Sequence, residues 1–73
     1  MPKSIHSSEY KNVIKKLRAA REAVGLTQQD AAEKLDKPQS YISKIERGER
    51  RLDVIELSKM AKLYKKNLDW FSL

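Results

Sequence analysis

The 73-residue chain has no cysteine and only one histidine, His6. Without cysteine, disulfides and thiolate metal sites are excluded, and the composition is compatible with a reducing cytoplasm. A single histidine leaves a histidine-based metal site or catalytic relay almost nothing to work with. We therefore expect no metal, no cofactor and no enzymatic activity.

Glycine is also scarce, with two residues in the whole chain, and long apolar runs are missing. The sequence contains no glycine-rich phosphate loop. It also contains neither an apolar run of about 18 residues nor a hydrophobic signal region at its N-terminus. We expect a cytoplasmic protein that does not cross a membrane, with a length that fits one small domain.

The chain does have an excess of positive charge, with a formal net charge of +6 and a pI near 9.7. A basic balance favours an anionic partner, nucleic acid above all. The cations are spread along the sequence, so the structural placement of each one decides what it contacts.

Residues 1–8 are polar and aperiodic, which predicts a flexible N-terminal arm before a domain spanning 9–73. Ser7 or Ser8 is a candidate N-cap for a first helix that runs to about Val24. Its apolar stripe recurs at helical spacing, and Gly25 follows it as a left-handed C-cap.

A second, short helix is predicted from Gln28 to Leu35, with small residues at Ala31 and Ala32 that let another helix cross closely. The segment 36–38 then reads as a turn, because the residue before proline is pushed away from helical angles. Two short helices joined in this way predict a helix-turn-helix over about 28–47.

The helix after this turn has two different faces. Ile42 and Ile45 point to one side. The other side combines an amide, two hydroxyls and two cations: Gln39, Ser40, Ser43, Lys44 and Arg47. Amides and arginines pair with purine edges, while hydroxyls and cations reach phosphates. This inventory predicts a recognition helix for duplex DNA.

A fourth helix is predicted after Asp53, which forms a capping box with Glu56, and Leu52 and Leu57 are spaced as a hydrophobic staple. Val54 or Ile55 and Tyr64 are expected at the edges of its apolar face. The segment 68–73 is a last apolar turn or short helix. No strand is predicted, so the expected fold is all-α: a compact domain of four to five helices.

Two stretches, residues 25–32 (GLTQQDAA) and 39–48 (QSYISKIERG), together resemble the Cro/repressor type of helix-turn-helix regulator, the XRE family. The likeness extends from about Val13 to Phe71. It implies a repressor-like DNA-binding domain and sequence-specific binding of duplex DNA in transcription regulation.

The resemblance also implies individual roles. Gln28 matches a glutamine that contacts a phosphate and braces the first glutamine of the recognition helix. Gln39 matches that second glutamine, which in related proteins forms bidentate hydrogen bonds to an adenine. Arg21 and Glu46 match an ion pair that we expect to be structural, since a carboxylate near the interior needs a partner.

From these roles we expect base reading by Gln39, Ser40, Ser43 and Arg47. Phosphate contacts are expected from Gln28, Lys44, Arg50 and Arg51. Tyr41 either meets a thymine methyl or sugar or packs against the domain, and packing is favoured.

Three residues depart from the family pattern. Asp36 and Lys65 stand where glycine is common, and Pro38 stands where serine or threonine usually caps the recognition helix. Two arrangements are open for that cap: the Asp36 side chain supplies it, or Pro38 is the first helical residue.

One such domain reads few base pairs, so a homodimer is expected to double the readout. The C-terminal segment has more apolar surface than the core obviously needs. The predicted interface comprises Tyr64, Leu68, Trp70, Phe71 and Leu73. In the competing interpretation Trp70 and Phe71 close the core, and Trp70 is the better core candidate of the two.

Two other interpretations within the same family stay open. An antitoxin-type module would bind DNA and also capture a protein partner. A controller protein of a restriction–modification system would bind DNA in the same way, and the sequence does not separate it from other regulators.

Overall fold

The computed structural model describes residues 7–71, in which every regular element is helical. The expected all-α fold is therefore confirmed. Four α-helices are followed by one turn of 3₁₀ helix: α1 (Ser8–Ala23), α2 (Gln28–Lys34), α3 (Gln39–Glu46), α4 (Val54–Leu63) and the C-terminal 3₁₀ helix (Leu68–Phe71).

Helix α1 begins at its predicted cap. The hydroxyl oxygen of Ser7 accepts a hydrogen bond of 3.1 Å from the backbone N–H of Tyr10. The predicted arm over residues 1–8 is therefore wrong at its end, because Ser7 is the N-cap and Ser8 the first helical residue. The rest of that arm lies outside the described residues.

Each α-helix contributes at least two apolar side chains to one core. Helix α1 supplies a stripe at helical spacing, α3 supplies Ile42 and Ile45 with no exposed surface, and α4 supplies Met60 and Ala61. The twelve buried apolar residues are Val13, Ile14, Leu17, Ala20, Ala31, Ala32, Ile42, Ile45, Met60, Ala61, Tyr64 and Phe71.

Helix α2 is fixed by a reciprocal cap at its start and by small residues on its inner side. Thr27 accepts from the N–H of Asp30, and the Asp30 carboxylate accepts from the N–H of Thr27, both at 3.0 Å. Ala31 and Ala32 are fully buried. Their small side chains let α3 pack closely against α2, which holds α3 at a fixed angle.

The turn before α3 resolves the question of its cap. Pro38 is the N-cap residue itself, in an extended conformation, and no side chain caps this helix. Both sequence-based alternatives, Asp36 as the capping side chain and Pro38 as the first helical residue, are wrong. The N–H of Tyr41 donates to the Pro38 carbonyl oxygen at 3.0 Å, so a backbone acceptor satisfies it in place of a side-chain cap.

Helix α4 begins with the predicted capping box between Asp53 and Glu56. Leu52 and Leu57 both pack against the core. Val54 and Ile55 do not: their exposed fractions are 63% and 62%. The expectation that one of them borders the apolar face is wrong, because both point into solvent.

All four α-helices end in the same Schellman motif, in which the N–H of the second residue after the C-cap donates to the carbonyl oxygen five residues before it. These bonds run from Leu26, Lys37, Glu49 and Lys66. The motif needs a left-handed residue just before each donor. Gly25 and Gly48 fill two of these positions, whereas Asp36 (φ 59°) and Lys65 (φ 64°) fill the others with side chains present.

Replacing Lys65 by glycine is expected to stabilise the domain. A left-handed L-residue costs roughly 1–2 kcal/mol, partly offset by the greater freedom of glycine in the unfolded chain, so the net gain should be about 0.5–1 kcal/mol. Urea unfolding of Lys65→Gly measures it. The control Lys59→Gly, at an exposed position inside α4, should lose about 1 kcal/mol instead. A loss at both positions would contradict the strain assigned to Lys65.

In the C-terminal segment, Phe71 lies in the core and Trp70 is exposed, the opposite of the preference predicted from sequence. Tyr64 and Phe71 are buried, with 0% and 2% of their surface exposed, so they belong to the core and are wrongly placed in a dimer interface. Trp70, the better core candidate by sequence, is 37% exposed and meets Phe71 edge to face at 5.0 Å. Leu68 is also exposed, and Leu73 lies outside the described residues.

The Tyr64 hydroxyl is buried and has no hydrogen-bond partner within the described part of the chain. Burial, with a further contribution from the Glu46 charge, raises the pKa of Tyr64 to about 12. An unpaired buried hydroxyl destabilises the folded state. It therefore offsets part of the stability that burial of the Tyr64 ring contributes.

Removing that hydroxyl is therefore expected to stabilise the fold. Tyr64→Phe should gain about 1 kcal/mol, because the unpaired group costs roughly 1–3 kcal/mol and its removal leaves a small void. Thermal unfolding measures the change. Tyr41→Phe is the matched control, since the Tyr41 hydroxyl donates to Glu56 at 3.1 Å and its removal should destabilise. Equal losses in both variants would show that Tyr64 has a partner.

Candidate nucleic-acid interface

Helix α3 presents the predicted polar face to solvent. Gln39, Ser40, Lys44 and Arg47 are exposed, and Ser43 is half-buried between them and the apolar side. Ile42 and Ile45 anchor the opposite side of the helix in the core. The structure thus brings the five polar residues onto one accessible surface, the outward face of α3.

Beneath this face, Arg21 and Glu46 form a bidentate ion pair. Arg21 Nε donates to Glu46 Oε2 at 2.7 Å, and Nη2 donates to Oε1 at 3.0 Å. The side chains are only 8% and 3% exposed. Arg21 Nη1 also donates to the Leu26 carbonyl at 2.8 Å. The hydrogen bond from the guanidinium to Glu46 raises the pKa of Arg21, so its charge is secure.

The ion pair continues outward through two glutamines. Gln28 Nε2 donates to Glu46 Oε1 at 3.0 Å, and Gln39 Nε2 donates to Gln28 Oε1 at 3.3 Å. We call this chain of Arg21, Glu46, Gln28 and Gln39 the polar relay. It links α1, the start of α2, and both ends of α3.

The Glu46 carboxylate fixes the order of donors and acceptors along the polar relay. An ionised carboxylate only accepts hydrogen bonds, so Glu46 must face the amide nitrogen of Gln28. The amide oxygen of Gln28 therefore faces Gln39 and accepts a hydrogen bond. The amide nitrogen of Gln39 must face Gln28 to donate it. One N–H and the oxygen of Gln39 stay unused. These are the two groups that pair with adenine N7 and N6.

The cations around the face differ in how they are held. Lys44 is exposed and forms no ion pair with a described carboxylate. Arg47 bonds to Glu49 at 3.1 Å, and Arg50 bonds to Glu56 at 2.9 Å. Arg51 is exposed and also engaged by another group. Lys44 is thus the most available of the predicted phosphate contacts.

Tyr41 packs, as the favoured interpretation expects. It is half-buried, and Lys37 and Arg50 lie over its ring at 5.2 and 4.9 Å from the centroid. Its hydroxyl and Arg50 share Glu56, whose pKa is lowered first by the backbone hydrogen bond from Asp53. The sequence predicted only a capping role for Glu56. Nothing in the residue spacing reveals that Tyr41 of α3 and Arg50 of the loop between α3 and α4 both bond to its carboxylate.

Residues 7–71 contain neither a metal-binding cluster nor a membrane-spanning helix. No three residues among histidine, cysteine, aspartate and glutamate cluster in a way that would hold a metal ion. No helix in this range is both long and apolar enough to cross a bilayer.

Comparison with known proteins agrees with the geometry. The model of a helix-turn-helix family matches residues 17–71. Among solved structures, an XRE-family like protein from Pseudomonas syringae pv. tomato str. DC3000 is similar at a TM-score of 0.84 and 39% sequence identity. That similarity covers 92% of this chain and 82% of the other. No curated protein matches the chain.

The fold and the exposed α3 face therefore define a helix-turn-helix protein of the DNA-binding regulator class. The chain belongs to the XRE family of that class, which confirms the family expected from residues 25–32 and 39–48. This family fold serves DNA-binding transcriptional regulators and is not typically enzymatic.

Proposed function

We propose that the protein binds duplex DNA sequence-specifically as a transcriptional regulator, with α3 in the major groove and its N-terminal residues nearest the bases. The observation that supports this most is the polar relay, which uses one N–H of the exposed Gln39 and leaves its oxygen and second N–H available to a base. A helix in the groove brings its first residues to the base edges.

Each side chain on the face has a proposed task. Gln39 reads one base, and Ser40, Ser43 and Arg47 read neighbouring ones. Lys44 and Gln28 contact phosphates. To contact DNA, the guanidinium groups of Arg47 and Arg50 each have to leave a glutamate partner and bind a phosphate. A phosphate accepts the same kind of charge-assisted hydrogen bond as a carboxylate, so the exchange is feasible.

A symmetric dimer is also part of the proposal, on a smaller interface than the sequence suggested. Of the four predicted interface residues that the structure describes, Leu68 and Trp70 are exposed, at 41% and 37%. A twofold dimer would double the number of base pairs read. Selection of bound sites from random duplexes tests it: half-sites about one helical turn apart support a dimer, and a single short site contradicts it.

Gln39→Ala is expected to relax preference at one base position, with a loss of discrimination of roughly 1–3 kcal/mol. Binding to the selected site and to its single-base variants measures this. Lys44→Ala is the control, because a lost phosphate contact weakens all sequences alike. Uniform weakening by Gln39→Ala would contradict its role in base reading, and absence of any duplex binding in dilute buffer would contradict the proposed function.

A further inference from the structure

A shallow, open groove with a largely apolar floor runs between the C-terminal end of α2 and helix α4. Three cavities lie in a row along it, with volumes of about 80, 350 and 310 Å³. The first two share Leu35 and Lys59, and the last two share Lys34 and Leu63. They therefore form one continuous depression, which we call the α2–α4 groove.

The floor of the groove is aliphatic. It consists of Val24, Leu26, Leu35 and Leu63, all half-buried, with Met60 beneath one end. In α4, Glu56, Met60 and Leu63 are spaced at i, i+4 and i+7, so one face of that helix forms a wall along its whole length. A long, shallow and largely apolar surface beside a helix fits a row of side chains better than one compact ligand.

Lysines surround this floor. Lys34, Lys59, Lys62 and Lys65 line the two larger cavities, and Lys37 lines the smallest. The first four form no ion pair with any carboxylate in the described range, whereas Arg18, Arg21, Arg47 and Arg50 each do. Glu56, the acidic residue of the groove, is already engaged by Arg50. The rim is therefore an unneutralised positive field over an apolar surface.

The groove is separate from the DNA-reading face. No residue of α3 lines the two larger cavities, and the smallest receives only Tyr41 from it. Gln39, Ser40 and Lys44 are not among the lining residues. An occupant of the groove would leave the outward face of α3 free.

We infer that the α2–α4 groove is a docking site for an amphipathic helix with acidic flanks, supplied by a partner protein. Its apolar residues would lie on the leucine floor, and its carboxylates would pair with the lysines of both rims. This inference does not depend on the proposed DNA-binding function.

The two other anionic occupants fit less well. A DNA phosphate backbone would satisfy the lysines and leave the aliphatic floor uncovered, because it has no apolar face to bury. A second copy of this basic chain would bring its own net charge of +6 toward a positive rim. An acidic amphipathic helix complements both the charge and the floor.

The test uses a synthetic peptide of about 14 residues, roughly 21 Å long as a helix. Leucines occupy positions i, i+4 and i+7, and glutamates flank them on both sides. Two matched peptides serve as controls: one has the same composition with its leucines spread around the helix, and the other has lysine in place of glutamate. Heteronuclear NMR titration of the full chain, without DNA, reports the affinity and the amides that shift.

The designed peptide should shift the amides around Leu35 and Leu63, and both control peptides should bind at least about tenfold more weakly. In the protein, Lys34→Glu/Lys62→Glu should weaken the peptide by about tenfold or more. Lys11→Glu/Lys15→Glu makes the same change of net charge on exposed positions of α1 that do not line the groove. This control should change the affinity by less than about twofold. Thermal unfolding verifies that both variants are folded.

Three results would overturn the inference. The first is equal binding of the designed and scattered peptides, or equal effects of the two protein variants. The second is a loss of duplex affinity in Lys34→Glu/Lys62→Glu with no peptide binding, which would make the groove a phosphate contact. The third is a dimer that dissociates in this variant in light scattering, which would assign the groove to a second copy.

Discussion

Arg21→Met is expected to destabilise the domain by roughly 3–5 kcal/mol, the cost of leaving one member of a buried ion pair without its partner. The Glu46 carboxylate would lose both guanidinium hydrogen bonds while its side chain remains only 3% exposed. Among residues 7–71, the Gln28 amide would be the donor that remains to it. For a domain of this size the melting temperature should fall by about 20 °C.

Two further variants distinguish this cause from a general sensitivity of the core. Arg21→Met/Glu46→Leu removes both charges and should recover most of the loss, because well-packed apolar residues often replace a buried pair without penalty. Arg18→Ala breaks the exposed pair with Glu22 and should change stability by about 0.5 kcal/mol or less. A shift of only a few degrees for Arg21→Met would show that water or rearrangement satisfies Glu46.

The affinity of the proposed dimer for duplex DNA is expected to fall about 10⁴-fold between about 50 and 200 mM monovalent salt, and that of a monomer about 10²-fold. Three of the proposed phosphate contacts are cations, Lys44, Arg50 and Arg51, and the proposed base reader Arg47 brings a fourth positive charge to the outward face of α3. Neutralising about four phosphates per subunit gives a dimer a log–log slope of roughly −7, and a monomer roughly −3.6. Fluorescence anisotropy across a salt series measures the slope.

Single substitutions show which cations contribute. Lys44→Ala should flatten the dimer slope by about 2, because each subunit loses one phosphate contact. Arg50→Ala should flatten it less, since Glu56 already neutralises that guanidinium at 2.9 Å in the free protein. Affinity that does not change with salt would contradict the assigned phosphate contacts altogether.

The helices and the outward face of α3 could be predicted from sequence because their signals are local. The capping pair Asp53 and Glu56 is three residues apart, and the spacing of Ile42 and Ile45 fixes which side of α3 faces the core. Patterns of this kind need no knowledge of the rest of the chain.

The errors arose where direction depends on a single backbone angle or on distant partners. Lys65 leaves α4 in a left-handed conformation, and that exit sets which side of the 3₁₀ helix meets the core. Composition alone could not show that Phe71 faces inward and Trp70 outward. Glu46 and Gln28 are 18 residues apart, so their hydrogen bond had no signature in the spacing.

The polar relay also means that the surface chemistry of Gln39 is decided from inside the molecule. Grafting the exposed residues of α3 onto an unrelated scaffold would transfer the glutamine but not the carboxylate that dictates which way round its amide sits. The transplanted side chain would flip freely and offer donor and acceptor in either order. Discrimination between bases at the position proposed for Gln39 would then decrease, even though every exposed residue of α3 had been copied.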